Sequence, residues 1–76
     1  MTGPGARRAV VVRDGEIRLG QFLKLAGSAG SGADAKQMLA AGLVLVNGEL
    51  ETRRGRRIVA GDAIDADGEQ LVVGAG

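Results

Sequence analysis

The first hydrophobic segment of the chain is the β-branched run Val10–Val12, closed by the turn dipeptide Asp14-Gly15, and it predicts a short strand. From Ile17 and Leu19 onward the period changes. Leu19, Phe22, Leu23 and Ala26 recur at i, i+3, i+4 and i+7, one face of a helix, with Gln21 and Lys24 on the other side and Gly27 placed to stop it. Gly27–Gly32 is a link of small residues. Ser31 followed by Asp34 has the form of a capping box, so a second helix is expected to run to about Ala41. Its Ala35, Met38 and Leu39 face inward, its Lys36, Gln37 and Ala40 outward, and Gly42 supplies a left-handed residue behind it. Two short helices joined by a tight glycine-rich turn make an αα-hairpin.

Leu43–Val46, Asn47-Gly48 and Glu49–Thr52 read as a β-hairpin, since Asn-Gly is the strongest short-range hairpin signal. A two-residue turn pairs Leu45 with Leu50 and Val46 with Glu49, and so sets Val44 and Val46 opposite glutamates. Either both faces of this hairpin are partly covered or the turn is longer than two residues; the pattern leaves the register open. Beyond it, Ile58-Val59, Gly61-Asp62, Ala63–Ala66, Asp67-Gly68 and Gln70–Val73 alternate strand and turn signals. Val10–Val12 and Leu71–Val73 are expected as neighbours in one sheet. The predicted architecture is α+β, a two-helix hairpin packed on a small, mostly antiparallel sheet. It forms one domain over residues 10–76, after a flexible arm over residues 1–9 that carries two glycines, a proline and an Arg pair.

Composition removes most chemistry. The 76 residues include no cysteine and no histidine, which excludes disulfides, thiolate chemistry and Cys-ligated metals and takes away the commonest general base. Trp and Tyr are absent, and Phe22 is the sole aromatic residue. No catalytic residue, cofactor or metal site is expected. The acidic run Asp62, Asp65, Asp67 and Glu69 lacks the spacing of a calcium loop, and turn chemistry explains Asp62 and Asp67-Gly68. Gly27–Asp34 looks like a phosphate loop, but Ala33-Asp34 follows Gly32 where a Walker A loop needs Lys-Ser or Lys-Thr. The apolar runs Ala9–Val12 and Met38–Val46 are too short for a signal peptide core and for the about 20 residues of a membrane span, so a cytoplasmic protein without membrane contact is expected.

The net charge of +1 conceals a segregation of sign. All ten basic residues lie before Ile58 with five acidic ones, and the last 19 residues hold four acidic residues and no basic one. Such asymmetry suggests a face for an anionic partner. Arg53, Arg54, Arg56 and Arg57 put four guanidiniums within five residues, around a glycine that lets the backbone come close to a nucleic-acid strand. Arg18 opens the first helix, where a cation opposes the macrodipole by about 0.3–1 kcal/mol and so invites a functional explanation. Lys24 and Lys36 lie on the outer faces of the two helices. With Phe22 buried there is no aromatic platform on which bases could stack, which favours recognition of backbone and shape in structured RNA or duplexes over single strands.

Three stretches resemble a known family. Arg18-Leu19-Gly20-Gln21-Phe22-Leu23, then Ala35–Gly48, then Gly61-Asp62-Ala63-Ile64 look like the S4 RNA-binding domain, in order and with compatible spacing from about Ile17 to Ala66. Glu51–Arg57 further resembles the small stand-alone bacterial S4-domain proteins of the YbcJ/YaaA type. The resemblance implies the αL motif, two helices and a sheet that bind structured RNA, commonly ribosomal or transfer RNA. It implies contacts from Arg18, Lys36, Arg53, Arg54, Arg56 and Arg57. Lys24 joins these as a candidate from its place on the first helix. Two positions depart from the family pattern. Gly20 stands where an acidic residue usually follows Arg-Leu, so the first helix is expected to lose its usual cap, and Gly32 stands where a basic residue often follows the second helix's Ser, so one RNA contact is missing. The reading is a noncatalytic, monomeric binder of structured RNA, with the ribosome or a ribosomal subunit as a platform. Its competitor is a protein-interaction module whose basic loop docks an acidic partner.

Overall fold

In the computed structural model, which describes residues 7–76, the chain runs β1 (Arg8–Val12), a 3-10 turn (Arg13–Gly15), β2 (Glu16–Arg18), α1 (Leu19–Leu25) and α2 (Gly32–Ala40). The remaining elements are β3 (Val44–Val46), β4 (Glu49–Leu50), β5 (Arg57–Val59), β6 (Ala63–Ala66) and β7 (Glu69–Ala75). Five strands form one sheet in the order β1-β7-β6-β3-β4. β1 and β7 are parallel, with Val10 opposite Val73, and the other pairs are antiparallel. β2 and β5 pair apart from it as a two-stranded antiparallel sheet. The α+β class and the β1–β7 neighbourhood match expectation, but the expected single sheet is two. The three-residue β2 was hidden inside the approach to the first helix. β1 begins at Arg8, within the stretch expected as an arm; residues 1–6 of that arm lie outside the described residues.

Both helices follow their hydrophobic stripes. Leu19, Phe22 and Leu23 of α1 and Ala35 and Leu39 of α2 are buried, and Met38 packs against them half-buried. Gly27 and Gly42 close the two helices in the same way. Each has positive φ, its own amide bonds the carbonyl three residues back, and the next amide reaches five back: Ser28 to Leu23 at 3.0 Å and Leu43 to Met38 at 3.1 Å. Ser31 caps α2 by accepting from the Asp34 amide at 3.2 Å. Strand alternation sends Val10, Val12, Val44, Val46, Ile64, Leu71 and Val73 to the same core, and Ile58 enters it from the small sheet. Each large side chain buried there contributes about 1.5–3 kcal/mol of transfer free energy.

The hairpin register is the one with the apparent conflict. Asn47 and Gly48 form a two-residue turn with positive φ at both positions, and Leu45 faces Leu50. The Glu51 amide bonds the Val44 carbonyl, so Glu51 does stand opposite a fully buried valine. Glu51 is itself buried, and arginines cover it. The first of the two alternatives holds: the inner face carries a carboxylate because its charge is matched on the spot.

The charge segregation along the chain is partly undone by folding. Arg7 pairs with Asp65 at 2.9 Å and Arg8 with Glu69 at 3.1 Å. Ser28 also donates to Glu69 at 2.9 Å, and this bond, ahead of that from Arg8, holds the Glu69 carboxyl below its ordinary range. The acidic tail thus takes up the two arginines at the start of β1, and the basic surface is left to the middle of the chain.

Candidate nucleic-acid interface

The Arg53–Arg57 segment is tied to the start of α1 along its backbone. The Leu19 amide donates to the Arg56 carbonyl at 2.8 Å, the Gly20 amide to the Arg54 carbonyl at 2.9 Å, and the Arg18 guanidinium to the Gly55 carbonyl at 2.9 Å. Three successive carbonyls are therefore satisfied by three successive residues. The first free amides of α1, which every helix must place somewhere, are filled by this loop. The expected loss of a cap at Gly20 is thus made good from another part of the chain. Gly20 is also what lets the loop sit so close: a Cβ there would lie 3.1 Å from the Arg54 Cβ and 3.4 Å from its carbonyl oxygen.

Glu51 holds the loop from the other end. One of its oxygens accepts from the Thr52 and Arg53 amides and from the Arg53 Nε, and the other from Arg53 at 3.2 Å and Arg56 at 2.9 Å. The Arg53 side chain, then its amide, then Arg56 lower the Glu51 carboxyl from 4.5 to about 2. Arg53 in turn is raised. Two of the four clustered guanidiniums are therefore paired with a buried carboxylate within the loop. Glu49, the other glutamate of the hairpin, takes no part; its partner across the hairpin is Val46.

The other two arginines, Arg54 and Arg57, have no ion pair among the described residues. Among the described residues this is also true of Arg13, Arg18, Lys24 and Lys36. β2 and β5 bring Arg18 directly opposite Arg57, both on the exposed face, with Ile17 and Ile58 turned inward between the sheet and the helices. Like charges directly opposite on a sheet destabilise it. Arg54 meets Arg18 and Lys24 at a cleft of about 280 Å³ between α1, α2 and the loop, where the small residues Gly20, Gly32 and Ala35 supply the walls. Gln21 opens onto the same cleft. Lys36 stands exposed one helical turn beyond Gly32, outside it. Of the seven candidates, Arg18, Lys24, Arg54 and Arg57 are thus assembled around α1 and the β2–β5 ribbon, Arg53 and Arg56 are bound to Glu51, and Lys36 borders the group.

Comparison with known proteins decides the family. An S4 domain family model matches residues 10–74. The chain belongs to the S4 domain family. Among S4-domain relatives, "Probable ribosome maturation protein RlbA" of Bacillus subtilis is 50% identical over 52 residues, which cover 68% of this chain and 73% of that one. "Putative RNA-binding protein YbcJ" of Escherichia coli is 42% identical over 57 residues, covering 75% and 81%. The solution structure of that YbcJ, described as revealing an alfa-L motif involved in RNA binding, superposes with a TM-score of 0.70 at 33% identity over 99% of this chain and 96% of its own. The 30S ribosomal protein S4e of Thermoplasma acidophilum gives 0.57 at 26% identity, over 75% of this chain and 30% of that protein.

Within this S4 domain, three features of the site were missed from residue order. Glu16-Ile17-Arg18 alternates polar and apolar, a signal too short to separate from the helix that follows. The anchoring role of Glu51 had one trace, the misfit of a glutamate opposite Val44. The seat of the loop on Gly20 had none, because it joins residues more than 30 positions apart.

Proposed function

We propose that this S4 domain binds structured RNA without catalysing a reaction, and that Arg18, Lys24, Arg54 and Arg57 make the main phosphate contacts, with Lys36 at the margin. The observation that carries this reading is the Arg18–Arg57 pair, two exposed like charges held opposite each other with no carboxylate between them. Such a pair costs stability in the free protein and becomes favourable against phosphate. Arg53 and Arg56 act by fixing the loop on Glu51, so that Arg54 and Arg57 meet RNA in a set geometry. The sole aromatic ring, Phe22, is fully buried, which supports recognition of backbone and shape.

Ribosomal RNA is the target we favour, given a ribosome maturation protein and a ribosomal protein among the similar chains. The protein would then act as a monomer in the cytoplasm; no helix among the described residues is long and apolar enough to cross a membrane. The test is binding to folded ribosomal RNA hairpins across a salt series, against single-stranded RNA and duplex DNA. With about five phosphates engaged, log affinity should fall against log salt with a slope of roughly −4. Replacing the four loop arginines by glutamine should weaken binding severely. Unchanged affinity in a folded quadruple variant overturns the reading, and flat, weak binding to every nucleic acid turns the loop into a docking element for an acidic protein.

A further inference from the structure

The cleft beside Arg54 has a composition that phosphate binding alone does not explain. Its cations, Arg18, Lys24 and Arg54, accompany walls without polar side chains, Gly20, Gly32 and Ala35. A hydrated phosphate gains nothing from such walls; an unpaired base attached to a phosphate gains from both. No carboxylate lines this cleft, whereas the larger concavity on the other side of α2 has Asp34, Asp67 and Glu69, and the one beside β1 has Glu16. Its volume, about 280 Å³, falls just below the size at which drug-sized ligand sites begin, about 300 Å³.

We infer that the cleft between α1 and α2 receives one unpaired nucleotide of the bound RNA, with its base against Gly20, Gly32, Ala35 and the guanidinium of Arg54 and its phosphate at Arg18 and Lys24. The inference rests on the RNA reading above and adds what is recognised. With Phe22 buried, no aromatic face is available, and the planar guanidinium of Arg54 is the stacking surface the cleft offers. Gln21 has an exposed amide free of protein hydrogen bonds among the described residues, and it presents both a donor and an acceptor to a base edge. A fully paired helix has no base to place there. The domain therefore selects helices interrupted by a bulge or an unpaired end.

Gly32 makes this testable, because a Cβ there meets nothing within 4 Å and its φ is an ordinary one. Gly32→Leu fills the cleft and leaves every cation in place. The probes are an RNA hairpin whose arms are joined by a non-nucleotide linker and that carries a single-nucleotide bulge, the same linked hairpin fully paired, and the bulged one with an abasic site at the bulge. The wild-type protein should prefer the bulged form by about tenfold over both others, the discrimination that burying the base and bonding its edge supply. Gly32→Leu should lose that preference and keep its affinity for the paired hairpin. Equal wild-type affinity for the base-bearing and abasic bulges overturns the inference without needing the variant to fold. So does a Gly32→Leu protein that retains the preference. Salt-sensitive binding of all three probes to the same degree overturns the nucleotide slot and leaves RNA binding standing; no binding to any of them overturns both.

Discussion

Gly20→Val probes the joint between the arginine loop and α1. The Gly20 amide donates to the Arg54 carbonyl at 2.9 Å, and a Cβ at Gly20 would already stand 3.1 Å from the Arg54 Cβ. Valine adds two γ-methyls at a place where the neighbour is backbone and the root of a side chain, so the loop must lift. Lifting it breaks the amide–carbonyl bond, at about 1 kcal/mol, or up to about 3 if the amide stays buried. Forcing the contact costs about 1–3 kcal/mol more. Removing a glycine returns at most about 1 kcal/mol. The balance is a loss of about 2 kcal/mol, which in a domain of this size lowers the melting temperature by about 8–16 °C. The control is Gly32→Val, the same change in the first turn of the other helix, where a Cβ meets nothing within 4 Å; it should stay within about 0.5 kcal/mol of wild type. Far-ultraviolet circular dichroism is the assay, since the chain has no Trp or Tyr. Equal melting temperatures for the two variants would refute the seating of the loop on α1.

Arg57→Gln should leave stability unchanged or raise it by up to about 1 kcal/mol, by relieving the cross-strand repulsion with Arg18. The same variant should bind RNA more weakly and lower the salt slope by about 0.9; a variant that loses stability and keeps its affinity would contradict the assignment. Glu51 predicts a pH dependence. Its carboxyl is lowered from 4.5 to about 2 on folding, so its contribution is complete above 4.5 and lost as pH falls through about 2. Wild-type melting temperature should drop more steeply over that interval than that of Glu51→Gln, and parallel curves would refute the linkage. Asn47→Ala removes the bond from the side chain to Asp62 and the bond accepted from the Ala63 amide, and leaves a residue with φ of +52° that alanine tolerates poorly. A loss of about 2–3 kcal/mol is expected from the bonds and the backbone strain together, read by denaturant unfolding.

The helices, their ends and the hairpins were legible because each is set by neighbours along the chain. The i, i+3, i+4 stripe of α1, Gly27 and Gly42 behind the two helices, the Ser31 cap and the Asn47-Gly48 turn all act over a few residues, where steric and hydrogen-bonding rules hold whatever the rest of the fold does. The α+β class followed from them, as did the presence of a basic loop. The grouping of the cations did not. Arg18 meets Arg57 because a three-residue strand pairs across 39 positions of chain, and Arg54 reaches α1 because two glycine-dependent backbone contacts close there. Residue order set the charges of Arg53 to Arg57 as equals. Only tertiary structure divided them, since a buried carboxylate opposite Val44 binds the guanidiniums within its reach, Arg53 and Arg56, and leaves Arg54 and Arg57 without an ion pair.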